Sequence, residues 1–254
     1  MAHYHPVPYD QFINIFMFVT NHPENSNKKF YWISPDTEKT FEKNKKVMGN
    51  DWIYQNAEIP YCHDEYGFRI KQLGSQKCRW EESIVVFGCS NVYGIGLVYE
   101  DTFCYQLEQM LGIPVINLGM PASAVDFATR NSYILYKNFP HPRAIVHMWT
   151  ELSRYSDWYG KNNLIAKNNV PSSPNYYPDI NWEARSEHLI DLDRTLWKDK
   201  TIYYESTFWY ENSIRLGIDM INTIDTARDV SHPGPKTNYL LSLAISERLK
   251  SKGI

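Results

Sequence analysis

Cysteine is scarce in this sequence, and the few cysteines lie far apart. The 254 residues include four, Cys62, Cys78, Cys89 and Cys104, with no Cys-x-x-Cys pair and no metal-ligand spacing to a histidine. We therefore expect free thiols in a reducing compartment. The same absence argues against a disulfide framework and against a metal or other cofactor.

The sequence also has no large excess of positive or negative charge and no long hydrophobic run. The formal net charge of −3 gives no electrostatic reason to expect a nucleic-acid partner. No apolar run approaches ~20 residues, so no membrane span is predicted. The N-terminal stretch MAHYHPVPYDQF lacks the pattern of a signal peptide, which favours a cytoplasmic protein. The abundance of Tyr, Trp, Asn and Lys is typical of AT-rich genomes, and a phage-encoded chain could be virion-associated.

Strand-like and helix-like segments alternate after residue 80. In chain order we predict strand 83–88, helix 98–111, strand 114–118, helix 123–138, strand 143–149, strands 201–205 and 213–220, and a helix over 235–250. Such alternation with short turns predicts a parallel sheet covered on both faces. The expected fold is α/β, a three-layer α/β/α (flavodoxin-like) arrangement.

Two regions interrupt this alternation. Residues 1–80 are interpreted as an irregular N-terminal extension packed on the main domain, with helical periodicity only over 9–19 and short strands at 29–34 and 52–59. The main domain then spans 81–254. It contains an insertion at about 152–198, a length that in compact domains is usually functional or disordered.

A serine follows the first predicted strand of the main domain. The apolar, β-branched run 84–87 is typical of a buried parallel strand, and Gly88 ends it. Ser90 and Asn91 are suited to cap a helix predicted to begin near Gly96. A serine in this place lies at the carboxyl end of a sheet, where open α/β folds bind their ligands.

An aspartate and a histidine three residues apart lie far downstream, in the segment DVSH. A serine hydroxyl needs a base to take its proton, and the base needs a carboxylate to orient it. Ser90, His232 and Asp229 fit these roles, with Asp225 as a competing carboxylate. From the residues alone a second interpretation stays open, in which Ser90 only caps a helix and Asp229 shapes a turn.

Three segments, in this order, resemble the sequence blocks of the SGNH (GDSL-type) esterases. They are FGCSNVYGIG at 87–96, NLGMPAS at 117–123 and DVSHPGPKTN at 229–238. A lead-in, YCHDEYGFR at 61–69, resembles the Tyr-x-x-Asn-x-x-Gly-Phe-Arg element of many such proteins. The likeness covers roughly residues 61–160 and 200–252. It implies the three-layer fold, the triad interpretation and ester hydrolysis through an acyl-serine intermediate.

The first two blocks imply an oxyanion hole made of backbone N–H groups. The donors would be Ser90 and Ala122, which stands where the family has glycine, with Gly119 as the alternative. Cys89 occupies the position of the family's Asp in Gly-Asp-Ser. Because that aspartate is not the catalytic acid, its replacement leaves the implied mechanism intact.

The third block departs further from the family. After the strand ending near Trp149 the chain reads TELSR, and Glu151 is nearest to the position of the family's asparagine. An ionised carboxylate cannot donate a hydrogen bond to an oxyanion. We expect Thr150 or Ser153 to supply the third donor instead.

Aromatic residues cluster in the insertion: Tyr155, Trp158, Tyr159, Tyr176, Tyr177 and Trp182. Because the insertion leaves the carboxyl end of the third strand, we expect it to border the Ser90 pocket, with Trp149, Arg154, Tyr155 and Trp158 contacting substrate. Aromatic faces suit stacking on sugar rings. Two alternatives stay open: a small core of the insertion's own, and a surface salt bridge for Arg154.

These observations favour a serine esterase that removes a short acyl group, such as acetyl, from a carbohydrate. Its partner would be a small-molecule or saccharide ester. The departures in blocks two and three favour an alternative, a weakly active or inactive carbohydrate-binding or virion structural protein on the same fold. A nucleotide-binding protein is disfavoured, because GCSNVYGIG lacks the phosphate-loop spacing and lysine.

Overall fold

The structure is a computed structural model that describes residues 18, 23–75, 79–156, 162–164 and 181–254. Its strands are β1 (Lys29–Phe30), β2 (Tyr61–His63), β3 (Arg69–Ile70), β4 (Ile84–Gly88), β5 (Val115–Gly119), β6 (Ala144–Trp149), β7 (Arg154–Ser156), β8 (Asn162–Leu164), β9 (Ile202–Thr207) and β10 (Asp219–Met220). Its helices are α1 (Glu38–Met48), α2 (Ser90–Tyr93), α3 (Phe103–Leu111), α4 (Val125–Asn138), α5 (Trp182–Trp197), α6 (Tyr210–Leu216) and α7 (Pro235–Ser251).

Five strands form a parallel sheet in the order β10-β9-β6-β4-β5. The β-branched run of β4 is buried along its whole length, as expected for a strand covered on both faces. Gly88 is in register with Gly119 on one side and with Met148 on the other. The carboxyl ends of three strands therefore meet at one edge, where the loops that follow them converge.

Helices cover both faces of this sheet. Alternate residues of β4 point to opposite sides, so Val85 and Phe87 pack into one core with helices α4 and α5. Ile84 and Val86 pack into the other core with α3 and α7. This arrangement confirms the predicted three-layer α/β/α fold.

Residues 23–75 form a small antiparallel sheet, β1-β2-β3, and the helix α1. A buried cluster joins this N-terminal segment to the main domain, since Ile59 and Tyr61 pack with Tyr93, Leu97 and Ala227. The contact lies beside the loops that follow β4 and precede α7.

Three local predictions were wrong. Residues 213–220 contain the end of α6 and only a two-residue strand, because Gly217, at φ +65°, ends the helix there. Residues 52–59 form turns rather than a strand, and the predicted strand 29–34 is limited to Lys29–Phe30.

The helices also differ from the sequence interpretation. Helix α1 was missed: its sequence is mostly charged, and Phe41 is its only buried residue. The helix predicted over 98–111 begins only at Phe103, as α3, and a separate short helix, α2, begins at Ser90 with Cys89 in the cap position. The periodic segment 9–19 lies outside the described residues apart from Phe18. Within the described part of the chain, no helix has the length and apolarity needed to cross a membrane.

Candidate active site

Ser90 is positioned by the sharp turn from β4 into α2. A Cβ atom at Gly88 would lie 2.4 Å from Val92 Cγ2 and 2.8 Å from the Met148 carbonyl oxygen, so only glycine permits this approach. The turn places Ser90 at the carboxyl edge of the sheet. Cys89 is buried, and its sulfur lies 3.9 Å from Ser90 Oγ.

The structure brings together Ser90, His232 and Asp229, which are distant in sequence. The Nε2 atom of His232 lies 2.8 Å from Ser90 Oγ, and its Nδ1 atom lies 2.5 Å from Asp229 Oδ2. An ionised carboxylate only accepts, so Nδ1 carries the proton and Nε2 is left to accept the serine proton. This is the geometry of an activated nucleophile.

Asp229 is held by more than the histidine. The backbone N–H groups of Ser231 and His232 donate to Oδ1 at 3.3 and 3.2 Å, and the Ser231 hydroxyl donates to Oδ2. Burial alone would raise the pKa of Asp229, but the hydrogen bonds and charge of His232, helped by Ser231, hold the pKa below its usual range. The carboxylate therefore stays ionised beside the imidazole.

Asp225 is not placed as a catalytic acid. Its carboxylate accepts from the backbone N–H groups of Lys236 and Thr237, at 2.9 and 2.8 Å, and from the Thr237 hydroxyl at 2.7 Å. These are the unpaired donors of the first turn of α7. Asp225 therefore caps that helix, and the competing assignment from the sequence is wrong.

The two backbone N–H groups predicted as oxyanion donors belong to Ser90 and Ala122. Among the described residues, neither Ser90 N–H nor Ala122 N–H donates to another group. Ala122 has a φ of +57°, the left-handed conformation that glycine adopts more easily. Gly119 is excluded as the alternative donor, because its N–H donates to Asn117 Oδ1 at 2.8 Å.

The segment between β6 and β7 contains no asparagine, so the third oxyanion donor would have to come from another residue. Thr150 is buried, and within the described part of the chain its hydroxyl has no hydrogen-bond partner. Glu151 accepts from Arg154 Nε at 2.8 Å, so its carboxylate is engaged in an ion pair. Ser153 is half-buried. Of the two residues predicted as the third oxyanion donor, Thr150 is the one that is buried with an unpaired hydroxyl among the described residues.

Of the four predicted substrate contacts, Trp149 was predicted wrongly. Its side chain is 1% exposed, it stacks on His147 with ring centroids 4.1 Å apart, and its indole N–H donates to Glu205 at 2.9 Å. As the last residue of β6 it points into the core. Arg154 makes the ion pair with Glu151 that the alternative interpretation anticipated. The side chain of Tyr155 lies outside the described residues.

The other aromatic residues of the insertion are described only in part. Trp158, Tyr159, Tyr176 and Tyr177 lie outside the described residues. Trp182, the sixth aromatic residue of the cluster, is the first residue of α5, and the Arg185 guanidinium lies 5.6 Å from its ring centroid.

A cavity that the sequence did not predict lies between the N-terminal segment and the loop after β5, which contains the end of the second block (117–123) and is called the second-block loop. Its volume is about 230 Å³, and its lining includes Phe30, Trp32, His63, Met120 and Pro121. Pro121 directly precedes Ala122, so the cavity adjoins the loop that offers the oxyanion donor. No sequence pattern links residues 30–32 to residues 120–121, and only the fold brings them together.

The chain was compared with known families and structures. No family profile and no curated protein matches it. Solved structures of similar fold include a carbohydrate esterase family 2 enzyme with a carbohydrate binding domain from Corynascus thermopiles (Myceliophthora fergusii). It is 10% identical, the match covers 71% of this chain and 69% of that chain, and the TM-score is 0.45.

Two further structures are similar at the same level. A member of the lipolytic protein G-D-S-L family from Veillonella parvula DSM 2008 is 13% identical over 65% of this chain and 96% of that chain, with a TM-score of 0.42. An acetyl xylan esterase from the rumen bacterium Butyrivibrio proteoclasticus is 12% identical over 70% and 65%, with a TM-score of 0.45. These likenesses concern the fold, and conclusions about chemistry depend on the site's own geometry.

Proposed function

We propose that this chain is a serine esterase of the SGNH type that hydrolyses a short-chain acyl ester, such as an acetyl ester, on a carbohydrate. One observation carries the proposal: His232 lies within hydrogen-bond distance of both Ser90 Oγ and the Asp229 carboxylate. The second interpretation, a helix cap and a turn, would not need the imidazole to bridge these two groups.

The proposed reaction has two halves. Ser90 Oγ attacks the ester carbonyl carbon while His232 Nε2 takes the hydroxyl proton, and Asp229 stabilises the imidazolium. The tetrahedral oxyanion accepts hydrogen bonds from Ser90 and Ala122 N–H. The C–O bond to the alcohol breaks as His232 returns the proton to it, leaving acyl-Ser90. Water, deprotonated by His232, then attacks the acyl carbon. The bond to Ser90 Oγ breaks as His232 returns the proton to that oxygen, which releases the carboxylic acid and restores the serine.

The carbohydrate part of the proposal is supported by the cavity beside Ala122. Phe30 and Trp32 are half-buried in its lining, and aromatic side chains of this kind suit contact with a sugar ring.

The second candidate is a weakly active or inactive carbohydrate-binding or virion structural protein on this fold. The observation that favours it is the replacement of the third-block asparagine by Thr150 and an ion-paired Glu151. Loss of one oxyanion donor typically costs about 10²–10³ in rate, which slows an enzyme without abolishing its activity.

Hydrolysis of p-nitrophenyl acetate, butyrate and octanoate by the wild type and by Ser90→Ala separates the two candidates. We expect turnover that declines with chain length and a loss of at least about 10³-fold in Ser90→Ala. Ser251→Ala, at the exposed end of α7, is the matched serine control. If Ser90→Ala keeps wild-type turnover, the acyl-serine mechanism is wrong. If wild type hydrolyses no ester yet binds acetylated saccharides in calorimetry, the second candidate holds.

A further inference from the structure

A buried ion pair lies next to Asp229, the proposed acid of the triad. Arg228, the residue before Asp229, is 1% exposed, and Asp36 of the N-terminal segment is 0% exposed. The guanidinium donates to both carboxylate oxygens, at 3.0 and 2.6 Å. It also donates to the carbonyls of Ala57 and Tyr31, at 2.9 and 3.1 Å. Among the described residues, every hydrogen bond of this side chain therefore goes to the N-terminal segment.

Asp36 reaches the nucleophile loop through a second residue of that segment. The Tyr61 hydroxyl donates to Asp36 Oδ2 at 2.5 Å and accepts the Gly96 N–H at 2.8 Å. Gly96 follows α2, whose first residue is Ser90. Burial, and next the Asp36 charge, raise the pKa of Tyr61 well above its usual value, so the phenol stays a donor at neutral pH.

The two loops also touch each other at this point. The Arg228 N–H donates to the Gly96 carbonyl at 3.0 Å. A Cβ atom at Gly96, where φ is +75°, would lie 2.8 Å from Ala227 Cβ and 2.9 Å from Arg228 N. The loop after Ser90 and the loop before Asp229 are therefore packed against each other, without room for a side chain between them.

Arg69 restrains the nucleophile loop from the same side. Its guanidinium donates to the Tyr93 carbonyl at 3.1 Å, to the Gly94 carbonyl, and to the Leu97 carbonyl at 2.6 Å. It also lies 4.7 Å from the centroid of the Tyr61 ring. This arginine ends the Gly-Phe-Arg element singled out in the sequence, so that element contributes directly to the support of the loop.

A buried ion pair is a weak source of stability, because removing two charges from water costs about as much as their attraction returns. The hydrogen bonds among Asp36, Arg228 and Tyr61 instead restrict the geometry of the groups they join. Charge-assisted hydrogen bonds are short and have well-defined distances. The arrangement suits a site in which a shift of about 1 Å costs about 10²-fold in rate.

We propose that Asp36 and Tyr61 are positioning residues that set the distance between the loop bearing Ser90 and the loop bearing Asp229 and His232. The N-terminal segment is then part of the catalytic apparatus rather than a separate appendage. The catalytic readout of this proposal rests on the proposed esterase function.

The test is Tyr61→Phe, which removes one hydroxyl and leaves all buried charges paired. With p-nitrophenyl acetate we expect kcat to fall about 10-fold or more while KM stays within about two-fold, because the nucleophile is misplaced and the ester still binds. The matched control is Tyr204→Phe, whose hydroxyl lies 3.3 Å from Asp219 Oδ2 at the far edge of the sheet. Its kcat should match the wild type.

A milder variant guards against loss of folding. Asn44 of α1 donates to the Arg228 carbonyl at 3.0 Å and is half-buried, so Asn44→Ala should fold. The loss of one hydrogen bond predicts a fall in kcat of about 2- to 10-fold. Wild-type kcat in both Asn44→Ala and folded Tyr61→Phe would overturn the proposal.

A readout independent of turnover separates this proposal from the proposed function. The proton shared by His232 and Asp229 gives a low-field proton resonance, which we expect to shift or disappear in Tyr61→Phe and to persist in Tyr204→Phe. If the wild type hydrolyses no ester, the esterase proposal fails and this resonance still decides the positioning role. An unchanged resonance in Tyr61→Phe would refute it.

Discussion

Ala122 adopts a φ of +57°, which costs a residue with a Cβ about 1–2 kcal/mol. Glycine relieves this strain but loses about 0.5–1 kcal/mol through the greater freedom of the unfolded chain. We therefore expect Ala122→Gly to raise the free energy of unfolding by about 0.5–1 kcal/mol, measured by urea denaturation.

The matched control has the opposite expected sign. Ala244 lies inside the helix α7, where the same change should lower the free energy of unfolding by about 1 kcal/mol. If both variants lose stability equally, the positive φ at Ala122 carries no strain that glycine can relieve.

The lowered pKa of Asp229 makes stability depend on pH in acid. A carboxyl whose pKa is lower in the folded state contributes stability above its unfolded value of about 3.9, and this contribution disappears as pH falls through the folded value. We expect the difference in free energy of unfolding between wild type and Asp229→Asn to be widest near pH 5 and to shrink below about pH 4. A gap that stays constant from pH 6 to pH 3 would contradict this expectation.

At the level of single residues, local motifs predicted Ser90, Asp229 and His232 as a group that the structure does bring together. Trp149 was misplaced although the end of its strand was predicted correctly, because alternate strand residues face opposite sides of the sheet and the sequence does not show which side Trp149 faces. Gly119 was misjudged because the Asn117 side chain takes its N–H. Neither contact has a sequence signal.

Among the elements, α7 depends on Asp225 at its start. Removing the carboxylate in Asp225→Ala leaves first-turn N–H groups unpaired and should lower the free energy of unfolding by about 1 kcal/mol. Turnover should stay near wild type, because the described hydrogen bonds of the Asp225 carboxylate go to Lys236 and Thr237 and not to the imidazole. Asp229→Ala is the matched comparison and should lose about 10⁴-fold in kcat. Equal losses of turnover would show that Asp225 also supports the base.

The elements were predictable where apolar periodicity reports burial. Strands β4, β5 and β6 and helices α4 and α7 lie within two residues of their predicted bounds, because each is buried along a face. Helix α1 and residues 213–220 were not predicted, since both are half-buried or exposed along most of their length and only one residue of α1, Phe41, is buried.

For the whole molecule, the cavity between the N-terminal segment and the second-block loop predicts where substrate selectivity lies. Phe30→Ala should lower kcat/KM for an acetylated saccharide about 3- to 10-fold more than for p-nitrophenyl acetate, because ring stacking contributes about 0.5–1.5 kcal/mol. Phe208→Ala, a half-buried ring in the α3 and α7 core, is the control for general loss of packing. Equal losses on both substrates in Phe30→Ala would remove the cavity from the saccharide proposal.

Short local patterns were enough to predict the layered α/β architecture and the three residues proposed as nucleophile, base and acid, because burial periodicity and motifs are both local. The unpaired backbone donors, the carboxylate that meets the imidazole, and the contacts by which Asp36 and Tyr61 reach the loop after Ser90 and the loop before Asp229 emerge only in the folded chain. These contacts link residues far apart in the chain. Their energies depend on distances that no local pattern encodes.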